Sequence, residues 1–141
     1  MPRKLYGYFR SSAAYRVRIA LELKRLSWQS ESIHLTKDGG KQYSAPYQSI
    51  NPLSLVPTLK DNNTHHTQSL AIIEYLEELY PEPPLLPKNP IARARVRAIA
   101  LSIACDIHPL NNLRVLKYLT KILTVSDSAR MEWYAHWLSK G

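Results

Sequence analysis

Two adjacent hydroxyls, Ser11 and Ser12, stand where an aromatic-rich extended stretch gives way to a helical pattern, within FRSSAAYRVRIAL from Phe9 to Leu21. The first turn of a helix exposes unpaired backbone N–H groups and the positive end of the helix dipole, a setting that favours anions and thiolates. A serine there has two readings: a cap contributing about 1 kcal/mol to the helix, or a hydroxyl that does chemistry. Taken alone, capping has the stronger prior, because caps far outnumber active sites. Ser69, after Gln68, opens another helical pattern and carries the same two readings. Pro57 directly precedes a strand pattern. Proline cannot donate to a sheet ladder, so it belongs at a strand start, and X-Pro is where cis peptides occur. A cis Val56-Pro57 bond is expected to leave the Val56 backbone free to pair with something other than the sheet. His65 and His66 with Asp61 resemble a metal set, but neighbours on a strand point to opposite faces, so no metal is expected. Cys105 in an apolar helix is expected to be a buried small residue, and Trp133 and Trp137 core.

These residues need elements to hold them. Lys4 to Phe9 reads as a strand. The following helix has Ala13, Val17, Ala20 and Leu21 at helical spacing, widened by Ile19, Leu23 and Leu26, with Arg16, Glu22 and Lys24 facing water. Trp28 to Leu35 reads as a second strand with Ile33 and Leu35 on one face, which completes a βαβ unit with a parallel pair. Paired glycines break the pattern after Thr36, and Tyr43 to Ile50 reads as a short irregular helix limited by Pro46. Thr58–Lys60 and Thr64–Thr67 form an antiparallel hairpin across Asp61-Asn62-Asn63. A helix then runs to Tyr80 with Ile72, Leu76 and Leu79 on one stripe. Residues 1–80 thus read as a small mixed α/β domain. Residues 81–90 hold five prolines and read as a stiff linker. Residues 91–141 read as all-helical, interrupted at Pro109, with a last helix capped at Ser126 or Asp127.

Composition narrows the classes. A chain of 141 residues with 45% hydrophobic content is globular. No run approaches the ~20 apolar residues of a membrane span, and no apolar signal core is present near the N-terminus. One cysteine rules out an internal disulfide framework and points to a reducing compartment, the cytoplasm. The formal charge of +8 is scattered over helices, dense only at Arg93, Arg95 and Arg97, without a nucleic-acid-reading motif. Nucleic acid and membrane are not expected partners.

Several blocks together resemble the zeta-class glutathione transferases, the maleylacetoacetate isomerase family. They are Tyr8 to Leu21, Lys37-Asp-Gly-Gly-Lys-Gln42, Asn51-Pro-Leu-Ser-Leu-Val-Pro-Thr-Leu59, Gln68 to Glu77 and Asp106 to Leu116. The resemblance implies a thioredoxin-like N-terminal domain, βαβ then ββα, followed by a helical domain. It implies glutathione as cofactor, with Ser11 as catalytic hydroxyl and Ser12 beside it. Gln68 and Ser69 would hold the γ-glutamyl end, Val56 before a cis Pro57 would pair with the cysteinyl part, and Gln42 would be a further contact. His108, Asn112, Leu113 and Arg114 match positions near cofactor or substrate. Some family members carry Cys in the position of Ala13; its absence here leaves activation to hydroxyls and helix dipole.

The implied chemistry is cis–trans isomerisation of maleylacetoacetate to fumarylacetoacetate, a step of tyrosine catabolism, on a small acidic substrate. A free thiol, with a pKa of about 8.5, is only a few per cent thiolate near neutrality, so a hydrogen bond from Ser11 and the helix dipole have work to do. Arg10, Arg16 and Arg114 are candidates for binding substrate anions, each weighed against a solvated surface charge. Family members continue further than Gly141, so the chain reads as C-terminally shortened, with exposed helix faces favouring a homodimer. Three readings follow: an active isomerase or transferase, a glutathione-binding protein with little turnover, or a scaffold of transferase fold.

Overall fold

The computed structural model describes residues 2–141. The chain divides into two compact units, the first extending through Leu86 and the second spanning Pro87–Gly141.

The first unit is built on a four-stranded sheet. Its strands are β1 (Arg3–Gly7), β2 (Trp28–Ser32), β3 (Thr58–Asp61) and β4 (Thr64–Thr67), in the order β2-β1-β3-β4. β1 and β2 are parallel, joined through α1 (Ser12–Leu23); β3 runs antiparallel to both β1 and β4. Asn62 and Asn63 turn the hairpin with φ of 47° and 64°, the left-handed conformation that a two-residue turn matching strand twist requires. A short α2 (Ala45–Gln48) carries Pro46 in its first turn, where a missing N–H costs nothing. α3 (Ser69–Leu79) closes the sheet unit. Leu5, Val17, Leu21, Leu59, Ile72 and Leu76 form the buried core, drawn from β1, β3, α1 and α3. Each such side chain stabilises the fold by about 1.5–3 kcal/mol.

Four local differences from the sequence pattern have physical causes. β1 stops at Gly7 rather than Phe9, because the chain turns there: the Ser11 N–H donates to the Tyr8 carbonyl at 2.9 Å, and Phe9 is 69% exposed. β2 ends at Ser32; Ile33 is buried just beyond it, and Leu35 lies half-buried in the loop. The buried stripe of α1 is Ala14, Val17, Ala20 and Leu21, narrower than the full apolar pattern, so Ile19 and Leu23 stay exposed, as does Leu79 on α3. Lys24, expected in water, is buried: its ammonium meets the Glu77 carboxylate at 2.7 Å and donates to the carbonyls of Tyr80 at 2.6 Å and Pro83 at 3.1 Å. Glu77 in turn accepts the N–H groups of Leu85 and Leu86. This pair holds residues 80–86 to the ends of α1 and α3.

The second unit comprises α4 (Pro90–Leu101), α5 (Leu113–Lys121) and α6 (Asp127–Lys140). Asn89, Asn112 and Ser126 cap them, each side chain accepting a first-turn N–H. The helical pattern breaks before Pro109: a wide turn over Ser102–Ile107 leads into a tight one over His108–Asn111. Trp133 donates to the Leu110 carbonyl at 2.9 Å and stacks edge-on with Trp137 at 5.7 Å. Both tryptophans are half-buried rather than core, and Cys105 is exposed rather than buried. A unit this small has too much surface for its volume to enclose a side chain fully. No helix among the described residues is long and apolar enough to cross a membrane.

Candidate active site

Strand register brings the candidate residues to one end of the sheet. Tyr6, at the end of β1, pairs with Thr58 at the start of β3, and Thr58 pairs with Thr67 at the end of β4. Gly7 pairs with Ser32, the end of β2. The segments that continue these four ends are the Tyr8–Ser11 turn, the loop from Ile33 to Gln42, the approach to Val56-Pro57, and the Gln68-Ser69 junction. Each carries a residue singled out by the sequence.

Ser11 is the N-cap of α1. Its φ of −80° and ψ of 112° are extended, and its Oγ accepts the Ala14 N–H at 3.1 Å. The two readings of this serine are therefore compatible. Capping uses an oxygen lone pair, and the hydroxyl proton is left to donate at the positive end of the α1 dipole. Ser12 is the exposed first residue of α1. Arg10 is exposed in the preceding turn.

Ser69 does not cap α3; it is the first residue of the helix, and the N-cap is Gln68, whose side chain makes no capping bond. The hydroxyl of Ser69, a residue 6% exposed, instead takes a hydrogen bond from Arg16 Nη1 at 2.9 Å. Arg16, a residue of α1, is thus joined to the start of α3. Gln68 is held at φ 66°, ψ 116°, which L-residues rarely adopt. Such a conformation costs about 1–3 kcal/mol and concentrates at functional sites. Since the Gln68 side chain is exposed, Gln68→Gly is expected to raise stability by about 1 kcal/mol, the relieved strain exceeding the added unfolded-state entropy. A urea midpoint that stays put or falls in that variant would show that the backbone there is unstrained.

The Val56-Pro57 peptide is cis. The loop before it is fixed by a buried polar cluster that the sequence did not single out. Asn51 Nδ2 donates to the Leu55 carbonyl at 2.8 Å and to Thr58 Oγ1 at 3.2 Å, while its Oδ1 accepts the Leu53 N–H at 3.1 Å. The Tyr47 hydroxyl donates to the same Leu55 carbonyl at 2.6 Å. Burial pushes the Tyr47 phenol above its ordinary range, so it stays a donor. An Asn-Pro step ahead of a Val-Pro step was the available signal, readable as a turn but not as a cluster.

Gln42 is buried, and its Nε2 donates to the Leu35 carbonyl at 3.2 Å. Its Oε1 is buried with no hydrogen-bond partner. An unsatisfied buried acceptor costs about 1–3 kcal/mol. Elsewhere in the first unit, His66 stacks on Tyr75 at 4.0 Å and His65 lies 6.2 Å from Tyr6. Burial, then Lys60 and His66, holds the His65 imidazole below its ordinary range.

In the second unit His108 opens the tight turn that ends at Asn111. Asn112 caps α5 by accepting the Arg114 N–H at 3.2 Å; Leu113 is half-buried and Arg114 exposed.

A sheet of this order, with a helix capped by serine after β1 and a cis proline before β3, is that of a thioredoxin-like domain. Residues 5–84 match the family model of the glutathione S-transferase N-terminal domain, and the chain belongs to the glutathione S-transferase family. Over 137 residues it is 54% identical to the "Probable maleylacetoacetate isomerase" of Vibrio cholerae, covering 97% of this chain and 64% of that protein. Two solved structures superpose with a TM-score of 0.93, each covering 97% of this chain and 64% of theirs. One is a bacterial zeta-class maleylpyruvate isomerase, 42% identical. The other is the maleylacetoacetate isomerase of Methylobacterium extorquens AM1 with bound malonate and glutathione, 41% identical. The chain therefore spans about two-thirds of the length of these relatives, 64% in each case.

Proposed function

We propose that the first unit binds glutathione at the sheet end described above and serves a zeta-class, glutathione-dependent cis–trans isomerisation of maleylacetoacetate or a closely related cis-enoic acid. The observation that carries the reading is the convergence there of three unlike groups. These are a hydroxyl donor at a helix N-terminus (Ser11), a serine hydroxyl paired with an arginine (Ser69 and Arg16, 2.9 Å), and a buried amide oxygen with no partner (Gln42 Oε1). They match a small ligand that carries a thiol, a carboxylate and amide donors. The relative solved with glutathione and malonate, a thiol tripeptide and a dicarboxylate, supports the same ligand chemistry.

In this reading Ser11 donates its O–H to the sulfur, and the α1 dipole favours the anion. Arg16 and Ser69 hold the γ-glutamyl carboxylate, beside the Gln68 backbone. The Val56 backbone, presented by the cis peptide, pairs with the cysteinyl part, and Gln42 accepts an N–H. Glutathione supplies the chemistry itself: its thiolate adds to the conjugated double bond, the resulting single bond rotates, and elimination of the thiolate restores the double bond in trans. Arg10, exposed in the Ser11 turn, would pair with the substrate carboxylates. We place the protein in the cytoplasm, in tyrosine catabolism, as a homodimer; apolar side chains such as Ile91, 82% exposed, and Ile122, 63% exposed, favour association.

Titration calorimetry with glutathione tests the reading. Binding is expected for the wild type and at least about tenfold weaker for Ser69→Ala. Absence of heat with the wild type sinks it. Light scattering on the same samples is expected to return twice the chain mass, and a monomer mass overturns the dimer.

A further inference from the structure

His34 lies between β2 and the loop that ends at Gln42, and its ring is used in a way that depends on its charge. Two backbone N–H groups, those of Thr36 at 3.3 Å and Lys37 at 3.0 Å, point at the same ring atom, Nδ1. A backbone N–H can only donate, so Nδ1 must carry a lone pair and the ring must be neutral with its proton on Nε2. The His34 carbonyl accepts the Lys41 N–H at 2.8 Å, closing the base of the loop. Inside it, Asp38, Gly39 and Gly40 all have positive φ, at 54°, 82° and 106°. Next in line, Gln42 donates to the Leu35 carbonyl. On the other side the ring of Tyr8, in the turn that leads to Ser11, packs on the imidazole at 4.9 Å. Tyr8 is the titratable group facing the ring from that turn, and the loop itself supplies Lys37, Asp38 and Lys41.

We propose that His34 is a positioning residue that fixes the Gln42 loop, and against it the Ser11 turn, only while its imidazole is neutral, so that protonating it releases the loop and weakens ligand binding. Protonation replaces the Nδ1 lone pair with an N–H aimed at two other N–H groups, with the Thr36 hydroxyl 3.5 Å from the same atom. Both hydrogen bonds are lost at once, and with them the hold on the Thr36–Lys37 corner, leaving the loop the Gly40 N–H to Lys37 carbonyl and Lys41 N–H to His34 carbonyl bonds and the Gln42 side chain on Leu35. Histidine is the side chain whose ordinary charge change falls in the physiological range, which sets the pH window of the test. The part that concerns ligand binding rests on the glutathione reading of Gln42.

The test uses Asn as the conservative replacement. Asn Oδ1 and His Nδ1 are both bonded to Cγ, so His34→Asn keeps an acceptor for the same two N–H groups but cannot be protonated. The ligand is S-methylglutathione, whose capped sulfur removes thiol ionisation from the comparison. Between about pH 7.5 and about pH 5 the wild-type protein is expected to lose about tenfold in affinity, His34→Asn to change little, and His34→Ala to bind weakly throughout. In the free protein, the Thr36 and Lys37 amide resonances are expected to titrate together with the imidazole in the wild type and to stay constant in His34→Asn. Amides that ignore the imidazole, or a His34→Asn variant that loses affinity as the wild type does, overturn the proposal. Titrating amides in a protein that binds no ligand at any pH overturn the glutathione reading while supporting the hold of His34 on its loop.

Discussion

Glu77→Ala is expected to cost the first unit about 3–5 kcal/mol, the range found when one partner of a buried ion pair is removed. The Lys24 side chain is 0% exposed and that of Glu77 8%, at an N–O distance of 2.7 Å. Without the carboxylate, the ammonium keeps only the two carbonyls of Tyr80 and Pro83, and the Leu85 and Leu86 N–H groups lose their acceptor. The measurement is the urea midpoint of Glu77→Ala beside that of the double variant Lys24→Met, Glu77→Leu. An apolar pair of similar volume leaves no charge unpaired, so the double variant should be markedly less destabilised than the single one. The pH dependence has a definite sign. Burial, the largest influence, acts to raise the Glu77 carboxyl, but the Lys24 ammonium and the Leu85 and Leu86 N–H groups together outweigh it and hold the carboxyl below its ordinary range. A depressed folded value means stability that is complete above the unfolded carboxylate range and lost as pH falls through the folded one, in acid below about pH 4. Glu77→Gln should flatten that acid limb. If the acid limb keeps its slope in Glu77→Gln, other carboxylates carry it.

What the sequence revealed and what it hid divide along the range of the interactions involved. The Ser11 turn was readable because a cap is local: residue type, helix start and the apolar pattern lie within a few residues, although the pattern began the stripe at Ala13 and the structure buries Ala14. Pro57 announced its place for the same reason, since a missing N–H is a property of one residue. Lys24 gave no such signal. On the helical pattern it faces outward, and only the return of α3 and of residues 80–86 around the end of α1 encloses it. Ser69 also misled locally: it resembles a cap by type and position, yet the partner that uses its hydroxyl is Arg16, on α1. His34 lay unread for a related reason, because an imidazole accepting two amides is visible only once the loop after β2 is closed.

Register explains why the candidate site nonetheless assembles from scattered blocks. A one-residue slip of β3 against β1 would turn Leu59 out of the core and move Thr58 away from Tyr6. Thr58 also anchors Asn51 and Tyr47, so the loop that presents Val56 is locked to the same pairing that places the Ser11 turn. Core and candidate site are thus specified by the same few residues, and Thr58, fully buried, belongs to both.

On the proposed isomerase reading, Ser11→Ala is expected to lower the rate of maleylacetoacetate isomerisation about a hundredfold, the scale for losing one hydrogen-bond donor to a developing or bound anion. Because Ser11 also caps α1, the same change removes about 1 kcal/mol of stability, and the two effects must be separated. Ser11→Asp does so. Aspartate caps at least as well as serine and suits the positive end of the dipole, so stability is expected to be kept. An ionised carboxylate has no proton to donate and repels a thiolate, so activity should fall at least as far as in Ser11→Ala. Ser11→Thr retains both the lone pair and the O–H and should keep most of the rate. The ultraviolet absorbance of bound thiolate, followed against pH, locates the effect: its midpoint is expected to move up in Ser11→Ala and Ser11→Asp and to stay in Ser11→Thr. Equal rates in the wild type and Ser11→Ala would leave the hydroxyl a cap and nothing more, with activation passing to the helix dipole alone.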